Sequence, residues 1–359
     1  MSVENNTRKR RHGVMFKKTG IVLLGIFVLF SMLSVSGDAG QRKRKREKQE
    51  LEIYIPQEVK TIMEEGVVMR QPRQDVPFEI VRFLYVPAQQ NVHAVFMFEI
   101  KNADLDFQSE SMNPENAQTV AEEQPDIPQI IKKDFKIFAQ FYERNKGDVG
   151  KVVKESYVPA SFQEDSSTYR PEQKNIYSIG YPFPAGDYLL ALAVTSPDLS
   201  KIGLQYYEFS LPDQFSFKDK LGLTSVFFLK SMKQNENPEL VTKVHMNSFV
   251  YSMLEIFPKV KNIIAPGEPV DIFYFIYGCQ PEKETNQYNI GIAYRVLEEG
   301  TTVIGFKEST FRFPLISHPL PLVDDKNNPL KQGSYILEID IIDNVSGRSL
   351  IENIEFEIK

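Results

Sequence analysis

The sequence predicts an all-β protein: two antiparallel β-sandwich domains in tandem, preceded by an apolar N-terminal helix and a short amphipathic one. Three observations carry this. From Pro77 onward, apolar and polar residues alternate over short runs separated by turn residues. One glycine-led strand pattern recurs after 147 residues. Residues 19–37, between Lys18 and Asp38, carry no charge.

The uncharged run comes first in the chain. At 1.5 Å per residue a helix of that length reaches roughly 28 Å, close to the thickness of a bilayer's hydrocarbon core. Lys17 and Lys18 before it, and Ser34, Ser36, Gly37 and Ala39 near its end, fit a secretory signal peptide. The basic cluster Arg42–Lys48 directly after it fits a retained anchor. Both readings stay open, and both place the body of the protein outside the cytosol or on a membrane. Residues 1–40 are therefore a signal peptide or anchor, and residues 41–76 a basic juxtamembrane segment with a short helix. In that helix Val59, Ile62, Met63 and Val67 share one face after Pro56, with Gly66 near its end.

Charge separates the two parts of the chain. Residues 1–48 hold 12 Lys/Arg against 3 Asp/Glu, whereas the rest holds 30 against 45. An acidic body offers no footprint for nucleic acid, whose phosphates require matching cations. The basic part flanks an apolar run, where positive charge reports on topology or anionic lipid.

The first sandwich spans residues 77–212, with strands over Phe78–Val86, His93–Ile100, Phe135–Tyr142, Tyr188–Val194 and Leu204–Leu211. It contains an insertion, 102–131, with seven acidic residues and no Lys, Arg or Gly. Such a composition cannot bury enough apolar surface to order itself. Residues 213–222 form a linker. The second sandwich spans 223–359, with strands over Ser248–Phe257, Val270–Tyr277, Asn289–Val296, Thr302–Lys307, Ser334–Ile342 and Ile351–Ile358.

The repeat ties the two together. Gly186, Tyr188 and Leu190 recur as Gly333, Tyr335 and Leu337, and Glu208-Phe209 recurs as Glu355-Phe356 at the same offset of 147. Equal spacing keeps equivalent residues on the same strand face, so Tyr188 and Tyr335 are expected to begin the inward set of matching strands. Here the chain resembles the immunoglobulin-like and fibronectin-like sandwich domains of bacterial cell-surface and periplasmic proteins. The residues that carry the likeness are Gln332-Gly333-Ser334-Tyr335, Asn344–Gly347, Ile354–Ile358, and Pro266-Gly267-Glu268 before Val270. It covers roughly residues 77–359, and its motifs are structural, so it transfers no catalytic residue. The core Trp and paired cysteines of antibody domains are missing, since the chain has one Cys and no Trp.

Chemistry-bearing residues are few. Calcium needs six to eight converging oxygens and usually a turn glycine, which Asp104, Asp106, Glu110, Glu115, Glu122, Glu123 and Asp126 do not supply. Asp340, Asp343 and Asn344 form a second oxygen cluster, with Asn344 suited to a turn. Cys279 lacks a cysteine-hydrolase signature and reads as a structural thiol. His93, His245 and His318, the last expected in a loop, have no metal-protease spacing, and no nucleotide-binding or nucleophile-elbow glycine motif occurs. The chain is expected to be no enzyme and to need no cofactor or metal.

One segment favours interaction. Val270–Tyr277 is apolar on both faces, and its outer set is Phe273, Phe275 and Tyr277. An antiparallel strand with one solvated face should alternate, so these rings need a cover: the first domain, a loop or a partner. Taken as partner-binding residues, they define an exported or membrane-anchored protein acting through protein–protein contacts in envelope assembly, adhesion or scaffolding. The alternatives are an exported enzyme or metal-dependent binder with a site at the domain junction, and a carbohydrate-binding module, the latter weakened by the lack of Trp.

Overall fold

A computed structural model describes residues 55–107, 130–235, 244–324 and 326–359. The apolar N-terminal run, its basic flanks and most of the acidic insertion lie outside the described residues. Among the described residues, no helix is long and apolar enough to cross a membrane.

The short helix, α1 (Gln57–Val67), begins after Pro56, whose carbonyl accepts the first helical bond from Lys60 at 2.9 Å. Proline suits that place because its missing N–H would be unsatisfied there anyway. Val59, Met63 and Val67 repeat every four residues and are buried on one face. They pack with Phe138, Leu189, Ala191, Ala193, Ile202 and Leu204 on the outside of the first domain.

The first domain contains β1 (Arg73–Gln74), β2 (Phe78–Pro87), β3 (Val92–Lys101), β4 (Ile130–Asn145), β5 (Asp148–Asp165), β6 (Lys174–Phe183), β7 (Gly186–Thr195) and β8 (Ile202–Leu211). Sheet β2-β3-β6 stacks on sheet β1-β8-β7-β4-β5. Phe96, Phe98, Phe135, Phe141, Leu190, Leu192 and Phe209 fill the space between.

The second domain contains β9 (Gly222–Leu223), β10 (Phe227–Gln234), β11 (His245–Met246), β12 (Phe249–Tyr251), β13 (Leu254–Pro258), β14 (Ile263–Ile264) and β15 (Val270–Tyr277). It continues through β16 (Ile290–Glu298), β17 (Thr301–Gly305), β18 (Ser309–Phe311), β19 (Leu315–Leu320), β20 (Gly333–Asp343) and β21 (Arg348–Ile358). Here β10-β15-β19 stacks on β21-β20-β16-β17. In sequence order, β2, β3, β4, β5, β6, β7 and β8 take the places of β10, β15, β16, β17, β19, β20 and β21. The two domains thus share one topology.

The repeat has the same geometry in both copies. Tyr188 lies opposite Phe209 and Tyr335 opposite Phe356. Tyr188 stacks on Phe209 with centroids 5.3 Å apart, and Tyr335 on Phe356 at 5.6 Å. The Tyr188 hydroxyl donates to the Pro184 carbonyl at 3.1 Å, and Tyr335 donates to Lys331 at 3.0 Å. Both hydroxyls reach back four residues, so each core ring keeps its polar end satisfied.

Several expectations need correction. Strands β5, β6, β10 and β19 are additional to those expected from the sequence. β5 is an edge strand with mixed residues outside, and β10 is continuously apolar only over Phe227–Leu229. Ser248–Phe257 is two strands, β12 and β13, broken at Ser252, whose φ is 54°. His318 lies on β19 rather than in a loop. The domains also interlock beyond the expected boundary at 213–222: α1 and β1 belong with the first sandwich, and β11, from the second, pairs with β6 of the first.

Candidate functional site

The aromatic face of β15 is the place to begin, because its sequence is apolar on both sides. Val270, Ile272, Tyr274 and Ile276 point into the second core as expected. Phe273, on the other face, is 1% exposed. It joins Leu84, Val86, Val95 and Met97 of the first domain with Phe227, Leu229, Phe249, Leu254 and Ile256 of the second in one interdomain cluster. Tyr277 stacks on Phe217 of the linker, centroids 5.2 Å apart and planes 6° apart, with the Lys220 ammonium above Phe217. Phe275 is half-buried and meets Tyr277 edge-on at 5.3 Å. Of the three residues expected to bind a partner, Phe273 and Tyr277 are buried within the chain, and Phe275 is half-buried. The chain itself covers the rings of Phe273 and Tyr277, and burying that aromatic surface internally stabilises the fold without a second molecule.

Polar contacts fix this junction. Arg82 of β2 donates to the carbonyls of Lys259 and Val260 at 3.1 and 2.9 Å and to Asn262 Oδ1 at 3.0 Å. Tyr251 donates to the Pro87 carbonyl at 2.7 Å, and Ser178 to the Ser248 carbonyl at 2.6 Å. Tyr85 donates to Leu223 at 3.2 Å. Burial raises the phenols of Tyr85, Tyr251 and Tyr277, which holds all three neutral at physiological pH. These bonds join β2 and β6 of the first domain to the second domain.

The remaining candidates do not converge. Asp343 is fully buried and accepts from the backbone N–H of Gln280 at 3.0 Å, from Val345 N–H at 3.2 Å and from the Ser346 hydroxyl at 2.5 Å. It holds the β20–β21 turn. Asp340 faces outward toward Arg295, and Asn344 donates to Asn289 at 3.1 Å. Cys279 is half-buried, and burial pushes its thiol up to about 12, so it stays protonated. His318 stacks on Tyr294 at 5.4 Å inside the second sandwich, away from the junction. Burial lowers the imidazoles of His93, to about 4, and of His318. His245 sits on β11 at the domain contact. Asp106 bridges Lys133 at 3.4 Å, while the rest of the acidic set beyond Asp104 lies outside the described residues. Among the described residues, no three His, Cys, Asp or Glu gather as a metal site would require.

What remains open is the outer face of sheet β14-β21-β20-β16-β17. Ile351 is 55% exposed and Ile342 39% exposed there. A shallow depression of about 580 Å³ has Ile263, Leu297 and Ile336 in its floor and Glu299, Glu355 and Glu357 around it. None of these residues was singled out from sequence as a candidate site residue. The signal that could have found them is the repeat itself. It maps Ala191 and Ala193, which lie under α1, onto Glu338 and Asp340, which a helix could not cover.

No family model matches the chain, and no curated protein matches it. Among solved structures it is similar to dimeric latent PorU from Porphyromonas gingivalis, at 10% identity and a TM-score of 0.28, over 82% of this chain. The match spans 21% of the PorU chain, about a fifth of its length. It is also similar to fibronectin(III)-like modules of Clostridium thermocellum CbhA, at 10% identity and a TM-score of 0.16, covering 64% of this chain and 85% of that one.

Proposed function

We propose that this is a non-catalytic, exported or membrane-anchored protein that acts through protein–protein contacts. Its two domains are of the immunoglobulin-like or fibronectin-like class, since both stack their first, second and fifth strands on the other four. The observation that supports the reading most is the asymmetry between the two outer faces. The first domain's is closed by α1, whereas the second domain's is open, with isolated isoleucines among carboxylates. A rigid two-domain body that presents one unshielded sheet suits a scaffold, adhesion or assembly component better than a loop-built pocket does. The apolar run 19–37 supplies the membrane or export signal.

Two measurements test this. Fractionation with N-terminal sequencing is expected to find either a mature start near residues 38–41 in the extracytoplasmic fraction or an intact N-terminus in membranes. An intact chain in the cytosol overturns the location. A photo-crosslinking side chain at position 351 is expected to give a discrete protein adduct in intact cells, and one at position 273 none. Adducts from both positions or from neither count against the contact reading.

A further inference from the structure

Strand β21 has an unusual outer edge. Glu357 and Lys359 donate their N–H groups to the carbonyls of Asn262 and Ile264, on the side away from β20. The β20–β21 register runs from Gly333↔Ile358 to Asp343↔Arg348 without a shift. Backbone direction alternates along an antiparallel strand, so Ser349, Ile351 and Asn353 also aim their N–H and C=O groups away from β20. Among the described residues, no strand pairs with them. Two other edges are guarded: β5 carries Pro159, Lys151 and Lys154, and β19 carries Pro319. Ser349–Phe356 contains neither proline nor lysine.

The first domain shows what such an edge accepts. Strand β1 pairs antiparallel with β8, Arg73 opposite Leu204 and Gln74 opposite Gly203, and Asp75 takes the Ile202 N–H at 3.4 Å. The repeat offset carries Ile202, Gly203 and Leu204 onto Ser349, Leu350 and Ile351. The first copy is therefore paired by an extended segment where the second is bare. Charge selects the occupant. Glu352 is half-buried on the inward face, opposite Ile339 and near the Tyr85 phenol of the first domain, with its carboxyl raised by burial, and neither it nor exposed Glu355 has an ion pair among the described residues. Two copies pairing about Ile351 would make their Glu352 side chains diagonal neighbours, so like charges oppose self-pairing.

Resting on the contact reading above, we infer that the β21 edge over Ser349–Asn353 receives an extended segment of a partner protein, antiparallel to it. That segment has a lysine or arginine opposite Glu352 and an apolar residue opposite Ile351. Main-chain bonds supply affinity and the alternating side chains supply specificity.

The test uses the full-length chain in detergent and a blocked seven-residue peptide alternating valine with lysine, beside its glutamate-for-lysine counterpart. Saturable binding of the lysine peptide is expected, with slowed amide exchange at Ser349, Ile351 and Asn353. Ile351→Pro removes an outward N–H and leaves the β20 ladder intact, so binding is expected to fall about tenfold or more with the fold retained. If that variant does not fold, Ser349→Pro tests the same side of the strand. Glu352→Gln is expected to weaken the lysine peptide alone. No binding, protection elsewhere, equal binding of the glutamate peptide, or unchanged binding in the proline variant overturns the proposal. Self-association that the proline variant abolishes also overturns it, by making a second copy the occupant. Cellular crosslinks from position 351 that survive Ser349→Pro would leave the contact reading standing while this edge assignment fails.

Discussion

The hairpins β7–β8 and β20–β21 are one structure in two surroundings. Along β7 and β20 the inward residues match in kind, Tyr188, Leu190, Leu192 and Val194 against Tyr335, Leu337, Ile339 and Ile341, down to the tyrosine hydroxyl bonded four residues back. Their outward residues do not match. Leu189, Ala191 and Ala193 lie under α1, while their equivalents Ile336, Glu338 and Asp340 face solvent, with Glu338 paired to Arg295 at 2.6 Å. A shared core thus dictates one side of a strand, and whatever covers the sheet dictates the other. β7 is buried almost end to end for that reason, and β20 alternates.

Exchanging outward residues breaks this comparison most sharply. Ala191→Glu places the second domain's residue beneath α1 as an unpaired buried charge. It is expected to cost about 3–5 kcal/mol and to undock the helix. The reciprocal Glu338→Ala is expected to cost under about 1 kcal/mol, the scale of an exposed ion pair. Urea denaturation of both variants measures the contrast, and equal losses would mean that the faces are not differently covered.

The edge positions come next. A Cβ at Gly203 would lie 2.0 Å from the Val76 carbonyl oxygen, because β1 leads Val76 into the first core there. The equivalent Leu350 instead plugs the second sandwich with its own side chain. Gly203→Leu is expected to cost about 3 kcal/mol and to expose the 73–76 arm to proteolysis, since overpacking must displace backbone. Proteolysis at the rate of the unmutated chain would show that the arm is not held by this contact.

Acid separates the domains by a different route. His93 shares a face of β3 with the interdomain residues Val95 and Met97, and burial lowers its imidazole to about 4. Unfolded, it titrates near 6.5, so below that pH the unfolded state binds more protons. Stability is expected to be full above about pH 6.5 and to fall by about 2–3 kcal/mol toward pH 4. His93→Gln should flatten that slope in urea midpoints measured against pH, and an unaltered slope would assign it to other groups.

The smallest effects sharpen the comparison instead of breaking it. Tyr188→Phe and Tyr335→Phe each lose one hydroxyl bond and leave a carbonyl unpaired, so each is expected to cost about 1 kcal/mol. A clear difference between the two losses would show that the corners are alike in geometry and unlike in energetics.

Legibility followed the same division. Strands with an apolar inward set, such as Val270–Tyr277 and Gly333–Asp343, were readable because alternation is a local signal. β5 is a strand through pairing with its neighbours more than through composition, whereas β6 carries a readable alternation, Tyr177, Ile179, Tyr181 and Phe183, interrupted by Gly180 and Pro182. For the candidate site, the sequence showed that Phe273, Phe275 and Tyr277 required a cover, and left open which body supplied it. The exposed Ile351 and half-buried Glu352 escaped notice because nothing local distinguishes an unpaired edge from a paired one.

Residues alone determined the all-β class, the two-copy organisation and the inward tyrosines, since each follows from period-two patterning and its recurrence. Tertiary structure alone decided that β11 crosses to the first domain, that α1 closes one outer face and leaves the other open, and that the β15 rings are internal. Those contacts join residues far apart in the chain, and their free energy depends on which surfaces meet, which no run of neighbouring residues encodes.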